Sequence, residues 1–422
     1  MFATVKQIFN AKNKDIQKRI LFTLACLFVF VLGKAIIVPG IDKYQLGVTQ
    51  LGFLELINVM GGGALGQFSI FALGVMPYIT ASIIIQILAM DIVPYLSELK
   101  NQGGTGRNEL NKITRICGIA LAFIQGYIYS FAFLGSAGSG ILNIDYLQFA
   151  LVLTAGTCLL LWIGDQITAK GIGNGISLII MAGIISSMPT MFASAFSQLT
   201  SEGTLTGTLL FVLYVIVYIA ITLGVVYVEG AERRINVQYA NKSNSSFGGR
   251  QNYIPFKLNS AGVMPVIFSS ALISIPSFIA TFVKNESFTN FVNQYLSMTS
   301  PTGFSLYIIL IFVFAYFYTF MQIKPSEMSD NLSKNGGFIP GVRPGKETTN
   351  YISYVISRIT VVGAFFLAIL AGIPVIFGLF SGLSGNVSIG GTGLLIVVGV
   401  ALETYKQLES QLQSRSYRKG RR

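Results

Sequence analysis

The sequence predicts an all-α polytopic membrane protein of ten transmembrane helices arranged in two five-helix halves. Three observations lead there. Of 422 residues, 52% are hydrophobic and only 11% charged, with a mean hydropathy of +0.65; a soluble domain of this length needs far more charge to cover its surface. The apolar residues fall in runs near 20 residues, the length of helix that crosses about 30 Å of hydrocarbon. The Lys and Arg residues gather in alternate connections between those runs, as they do in the cytoplasmic loops of membrane proteins.

In chain order the runs cover residues 20–38, 70–90, 113–134, 147–165, 174–194, 208–228, 261–282, 304–323, 358–379 and 390–409. The first is followed by nine others and has no small-residue cleavage site after it, so it is expected to remain as a span and not to be removed as a signal peptide. With the N-terminus inside, the inner segments hold every Lys and Arg of the 29 except Lys34, Lys43 and Lys284. That bias requires an even number of spans and places both tails on the cytoplasmic side. The resulting division is a cytoplasmic tail over 1–19, a first half over 20–194, an outer connection over 195–207, a second half over 208–409 and a basic cytoplasmic tail over 410–422. Two consecutive sets of five spans have opposite orientation, as in inverted-repeat folds whose pathway runs between the halves, although no sequence repeat is discernible.

Between the first two runs, Leu51 to Phe68 is moderately apolar and contains Gly61, Gly62, Gly63 and Gly66. It is too short and Gly-rich to span. It reads either as a re-entrant helix, which protein or a water-filled cavity must cover, or as an ordinary outer loop. Two inner loops are long. In 231–259, Ile235, Val237 and Tyr239 alternate at period two and Tyr253 and Phe256 follow a Ser/Asn/Gly stretch, the pattern of a hairpin. In 324–357 a Pro/Gly framework (Pro340, Gly341, Pro344, Gly345) holds a defined loop and presents Arg343, which is also readable as an ordinary solvated charge.

Several function classes drop out. There is no histidine, the commonest metal ligand and proton shuttle. Cys26, Cys117 and Cys158 lie inside apolar runs without metal-ligand spacing, so neither a metal nor a cofactor is expected. The acids Asp91, Asp165, Glu229 and Glu403 stand at span ends, and the middles of spans two to ten carry no charge. A proton or sodium relay usually needs such charges. Gly345-Lys346 is followed by Glu347, so there is no phosphate loop, and Gly171-Ile172-Gly173-Asn174-Gly175 lacks the strand and third glycine of a dinucleotide loop. No catalytic constellation is present, and the expectation is that the chain is not an enzyme. The net charge of +12 reads as membrane topology and not as DNA binding. Isoleucine stands out: Ile79/Ile83 and Ile176/Ile180 are i, i+4 pairs, each on one helix face, although β-branched residues are also common on lipid-facing helices.

Six segments carry a family likeness. They are Gly62–Ile79 (GGALGQFSIFALGVMPYI), Gly164–Ser177 (GDQITAKGIGNGIS), Glu229–Ile235 (EGAERRI), Gly262–Phe268 (GVMPVIF), Gly337–Gly345 (GFIPGVRPG) and Gly390–Val398 (GGTGLLIVV). In this order they resemble the motifs of the SecY/Sec61-alpha family, with Asp165 where the family usually has Glu. The likeness runs from about residue 20 to 410 and favours the general form over the diverged accessory one, because the cytosolic-loop motifs are intact.

The resemblance implies a protein-conducting channel of the bacterial inner membrane whose halves surround an hourglass pore. It places the pore ring at Ile79, Ile83, Ile176, Ile180, Ile267 and Ile396, and a plug at about 53–67 with Leu54, Leu56, Ile57, Met60, Gly62 and Gly63. It implies a lateral gate between spans two and three on one side and seven and eight on the other, with Asn174 and Gln86 in the gate region. Docking of the ribosome and the motor ATPase SecA falls to Arg343, then Arg250, Arg233, Arg234 and Lys346. The partners it implies are SecE and SecG in the membrane, an unfolded preprotein with its signal sequence as substrate, and at most ribosomal RNA as nucleic acid. Two rival readings are a solute transporter, which needs a polar midplane site, and a non-conducting scaffold, which leaves the Gly-rich segment unexplained.

Overall fold

Every one of the ten apolar runs falls on a helix in the computed structural model, which describes residues 14–39, 63–65, 68–89, 92–134, 144–200, 205–239, 252–283, 286–296, 300–381 and 385–419. Among the described residues, seven helices are long and apolar enough to cross a membrane by length and composition. The chain divides into two compact units, Met1–Ser194 with Glu403–Arg422, and Ala195–Leu402.

The first unit contains α1 (Lys14–Lys34), α2 (Met76–Leu88), α3 (Pro94–Asn101), α4 (Gly104–Leu134), α5 (Ile144–Lys170) and most of α6 (Gly175–Thr200). α5 is its most enclosed span, with Phe149, Leu153, Leu160 and Ile167 buried. Close packing against it depends on small residues, as is usual where lipid supplies no hydrophobic force between helices: Gly126 of α4 faces the Ala150 backbone. Arg115 of α4 pairs with Asp165 of α5, so the acid at that motif position has a cation; both are about half exposed, and such a pair contributes little stability.

Span two differs from expectation. The run 70–90 yields a helix of only 13 residues, starting at Met76. Upstream, the backbone is committed elsewhere: Val38 N–H donates to Phe68 O at 3.1 Å and Ile70 N–H to Ile36 O at 3.0 Å, an isolated antiparallel bridge centred on Ile37 and Ser69. Gly74 then takes φ +57°, open to glycine at little cost, and Pro77 sits in the first turn, where its missing N–H is not needed. Of the Gly-rich segment, Gly63 to Leu65 and Phe68 are turns. The plug positions Leu54, Leu56, Ile57, Met60 and Gly62 lie outside the described residues.

The second unit contains α7 (Leu205–Gly230), β1 (Glu232–Tyr239), β2 (Asn252–Lys257), α8 (Met264–Val283), α9 (Glu286–Phe291), α10 (Pro301–Gln322), α11 (Pro325–Lys334), β3 (Gly337–Phe338), α12 (Lys346–Ser381) and the start of α13 (Gly385–Lys419). Its apolar core joins Ile221 and Val225 of α7, Val266 and Ile273 of α8, Tyr307 and Ile311 of α10, Leu367 and Ala371 of α12, and Leu394 and Leu395 of α13. The hairpin expected in 231–259 is present: β1 and β2 pair antiparallel, Arg233 opposite Phe256 and Ile235 opposite Ile254. β3, contributed by the other long loop, pairs with β1 through Gln238 and Phe338, giving the order β2-β1-β3. Pro255 is tolerated because β2 is an edge strand.

Helices overrun the apolar windows at several ends. α12 begins at Lys346, so the connection taken as 324–357 is α11, β3, a Pro/Gly turn and then helix. α6 runs to Thr200, inside the expected outer connection, and α13 reaches Lys419, inside the expected tail. An apolar window marks only the part of a helix that hydrocarbon surrounds, and polar turns continue the same backbone ladder beyond it.

Candidate functional site

Burial bears on the reading of the isoleucines as lipid-facing residues. Ile79 on α2 is 8% exposed, Ile180 on α6 7%, Ile267 on α8 6% and Ile396 on α13 5%. Their neighbours Ile84 and Ile185 are 43% and 46% exposed. The four are therefore interior residues and not part of the lipid-facing surface. Ile83 and Ile176 are half-buried. Ile79, Ile83, Ile176 and Ile180 belong to the first unit, Ile267 and Ile396 to the second.

The face that Ile176 and Ile180 present depends on how α6 begins. Its first turn leaves backbone N–H groups without helical acceptors. Asn174 Oδ1 accepts from Ile176 N–H at 3.1 Å and from Ser177 N–H at 3.4 Å, an N-cap. Thr168 Oγ1, from α5, accepts from Gly175 N–H at 2.8 Å. Thr23 Oγ1, from α1, accepts from Ile172 N–H at 3.1 Å. Gly171 and Gly175 make room for this: a Cβ at Gly171 would overlap Thr23 Oγ1, and one at Gly175 would overlap the Gly164 carbonyl. Gly173, at φ +83°, faces Thr404 of α13. Below the turn, Ile16, Ile172, Leu408 and Leu412 form a small buried cluster. Asn174, assigned from the resemblance to the gate region, is exposed and its side-chain oxygen caps the helix. Gln86 is half-buried and donates to Ser82 Oγ one turn earlier at 3.0 Å.

α8, which carries Ile267, is anchored at its start. Asn259, 4% exposed, donates from Nδ2 to Glu229 Oε1 at 2.7 Å and to Gly262 O at 3.0 Å. That joins the last turn of α7 to the turn before α8. Leu258 N–H donates to Ala231 O at 2.9 Å, tying the end of β2 to the residue before β1.

The sheet gathers cations that lie far apart in sequence. Arg233 and Arg234 are exposed on β1. Arg234 bonds Glu232 through Nε at 2.8 Å and stacks its guanidinium 4.6 Å from the centre of the Tyr253 ring. The Glu232 hydrogen bond, then the Tyr253 and Glu232 charges, raise the Arg234 pKa above an already high value, so it stays cationic. Arg343 is exposed in the turn between β3 and α12 and carries no ion pair among the described residues. The turn that holds it is well made: Val342 N–H donates to Ile339 O at 3.1 Å, Thr348 Oγ1 to Arg343 O at 2.8 Å and Ser329 Oγ to Gly345 O at 3.0 Å. Beneath the sheet, Ile235, Val237, Phe256, Leu332, Ile339, Ile352 and Ile356 form a buried core. Lys346 is exposed in the first turn of α12, and Arg250 lies outside the described residues. No cluster of metal-ligating side chains occurs among the described residues.

Sequence reasoning missed Thr23, Thr168 and Asn259. The glycines at 171, 173 and 175 were the available signal, since such a run marks close backbone approach.

A multi-pass helical membrane protein with interior isoleucines and a basic, sheet-built polar face is the class these features define. The profile of the SecY family matches residues 69–405. The protein translocase subunits SecY of Bacillus licheniformis and Bacillus subtilis are each 45% identical over 428 residues, covering 99% of both chains, and that of Staphylococcus aureus is 44% identical over 427. The chain belongs to the SecY family. Its fold is shared with a solved protein conducting channel (TM-score 0.64, 20% identity, 94% of this chain and 92% of that one) and with Sec61 in a canine ribosome-channel complex (TM-score 0.60, 19% identity, with the same coverage).

Proposed function

We propose that this protein is the protein-conducting channel of a bacterial Sec translocon, passing unfolded secretory chains across the cell membrane and releasing apolar segments sideways into lipid. The observation that carries the reading is identity of 45% along essentially the whole chain to protein translocase subunits. The interior isoleucines then have a physical task. Ile79, Ile83, Ile176, Ile180, Ile267 and Ile396 serve as a narrow apolar ring that dewets, blocks ions and yields around a passing chain. The plug role falls to the segment 53–67, of which only 63–65 are among the described residues. Another solved relative is described as a SecY whose plug domain stabilizes the closed state of the translocation channel and maintains a membrane seal. A signal sequence leaves through the lateral gate because each CH₂ buried in lipid contributes about 0.8 kcal/mol.

The chain itself supplies no energy. Arg343, Arg233, Arg234, Arg250 and Lys346 form a cytoplasmic docking face for SecA or a translating ribosome, with SecE and SecG as membrane partners. Both termini are cytoplasmic. A basic face attracts acidic protein surfaces or ribosomal RNA. The lack of charge in the middles of spans two to ten disfavours an ion-coupled transporter.

The test is a crosslink. A photoreactive residue is placed at Ile79 and, separately, at Ile267, and a secretory chain is stalled during export. Crosslinks from both positions are expected. A folded, partner-bound protein that crosslinks from neither position refutes the pore reading.

A further inference from the structure

Lys34 has no place in the reading above, although it is one of only three basic residues on the outer side and an ionisable group at the end of a span is expected to have a partner. It is partly buried, and its Nζ donates to Ser186 Oγ of α6 at 2.8 Å. Eleven residues earlier on the same helix, Thr23 Oγ1 accepts the Ile172 N–H just before α6. On the α6 side the two contacts fall at Ile172, in the turn before the helix, and at Ser186, eleven residues after its first residue, Gly175. Eleven residues of helix rise about 16 Å, so α1 holds the α6 element at two points about that far apart along its own axis.

The inner grip is built and not incidental. Thr23 is 8% exposed. Its hydroxyl donates to Arg19 O at 2.9 Å, which leaves the oxygen lone pairs for Ile172 N–H. Only glycine at 171 lets the hydroxyl approach. The other caps of the α6 start, from Thr168 and Asn174, are local in sequence, whereas Thr23 is 149 residues away from the amide it accepts. It therefore ties the turn that leads into α6 to an element distant in sequence.

We propose that Thr23 and Lys34 are positioning residues: they make α1 a splint that sets the rotation and axial position of α6, and through it the face on which Ile176 and Ile180 stand. The inference rests on the reading of those isoleucines as ring positions. It assigns the N-terminal helix a part in sealing the channel, although its own residues do not enter the ring.

The test uses the full-length chain in liposomes and two readouts. Thr23→Val keeps the shape and removes the acceptor; Thr23→Ser restores it. Lys34→Met keeps length without charge or donor; Lys34→Arg restores both. Amide exchange over residues 171–178 is expected to quicken about fivefold or more in Thr23→Val, the change that losing one hydrogen bond implies, and to return in Thr23→Ser. Chloride leak is expected to rise severalfold in Thr23→Val and Lys34→Met, further in the double variant, and to return in both restoring variants. Ile180→Asn serves as the independent check of the ring. Unchanged exchange in Thr23→Val overturns the tether. Faster exchange without leak, while Ile180→Asn leaks, overturns the link from α1 to the ring. Silence of Ile180→Asn as well overturns the ring reading, and with it the sealing role assigned to the splint.

Discussion

Replacing Asn259 by Ala should loosen the join between the basic sheet and α8, and its cost can be worked from two hydrogen bonds. Asn259 is buried and its amide donates to the Glu229 carboxylate at 2.7 Å and to the Gly262 carbonyl at 3.0 Å. A bond to a charged group contributes about 1.5–3 kcal/mol and one to a neutral carbonyl about 0.5–1.5. Glu229 is only half-buried, so water replaces part of the first. The expected loss is therefore about 2–3 kcal/mol. The backbone here is closely packed: a Cβ added at Gly363 of α12 would stand 2.6 Å from Leu258 O. The assay is equilibrium unfolding in mixed micelles of increasing denaturing detergent, run as a double-mutant cycle with Glu229→Ala. The cycle should return a coupling of about 1–2 kcal/mol, the share of the charged bond after that exposure to water. Glu229→Gln, which keeps an acceptor but removes the charge, should lose less than Asn259→Ala. A single-variant loss below about 0.5 kcal/mol, the range of ordinary surface changes, refutes the argument that this side chain anchors α8.

Three further outcomes follow from the same geometry. Arg343→Glu should impair motor-dependent export measured in membrane vesicles while changing stability by less than about 0.5 kcal/mol, since an exposed cation without an ion pair is not structural; normal export refutes the docking assignment. Ile396→Asn should raise resting ion conductance in planar bilayers, because a polar group wets an apolar constriction; conductance equal to the unmodified channel refutes its place in the ring. Gly175→Ala should cost about 1–3 kcal/mol in the same detergent titration, because its Cβ would overlap the Gly164 carbonyl and backbone cannot move aside as a side chain does; a loss within error refutes the close approach of α5 and α6.

The sequence made the spans legible because apolar length is a property of one helix alone. It made the hairpin legible because Ile235 and Val237 alternate, and the structure buries both beneath β1. Other features depended on what a segment meets. Nothing in Gly337-Phe338 announces a strand; it becomes one because β1 has a free edge beside it. Residues 70–75 have helical composition yet stay out of helix: Ile70 N–H bonds to Ile36 O, and Ala72 and Gly74 close local turns on Ser69 and Phe71. Lys346 to Ser357 is polar enough to resemble loop, but Ile352 and Ile356 give it a buried stripe against the sheet and it continues α12. The ring isoleucines were named from the resemblance. Residue type alone could not separate them from Ile84 and Ile185; burial sets Ile79, Ile180, Ile267 and Ile396 apart from those two, and Ile83 and Ile176 are half-buried.

The residues that sequence reasoning missed share a cause. In lipid the solvent is as apolar as the helix surface, so hydrophobic burial holds spans in the membrane without fixing how they are rotated. Rotation has to be set by directional contacts, and these gather where helices start and backbone N–H groups lack partners. Thr23, Thr168 and Asn174 act at the start of α6, and Asn259 at the start of α8. Each is a small polar residue beside a glycine-rich turn, which in a hydropathy profile is only an interruption between spans. A channel that opens and closes needs helices whose rotation is held by a few hydrogen bonds and not by a broad, interlocked interface. Each such bond is worth about 1 kcal/mol, small enough for a docking partner to outweigh. The turns that hydropathy passes over are therefore the places where a change of one residue should alter gating before it alters folding.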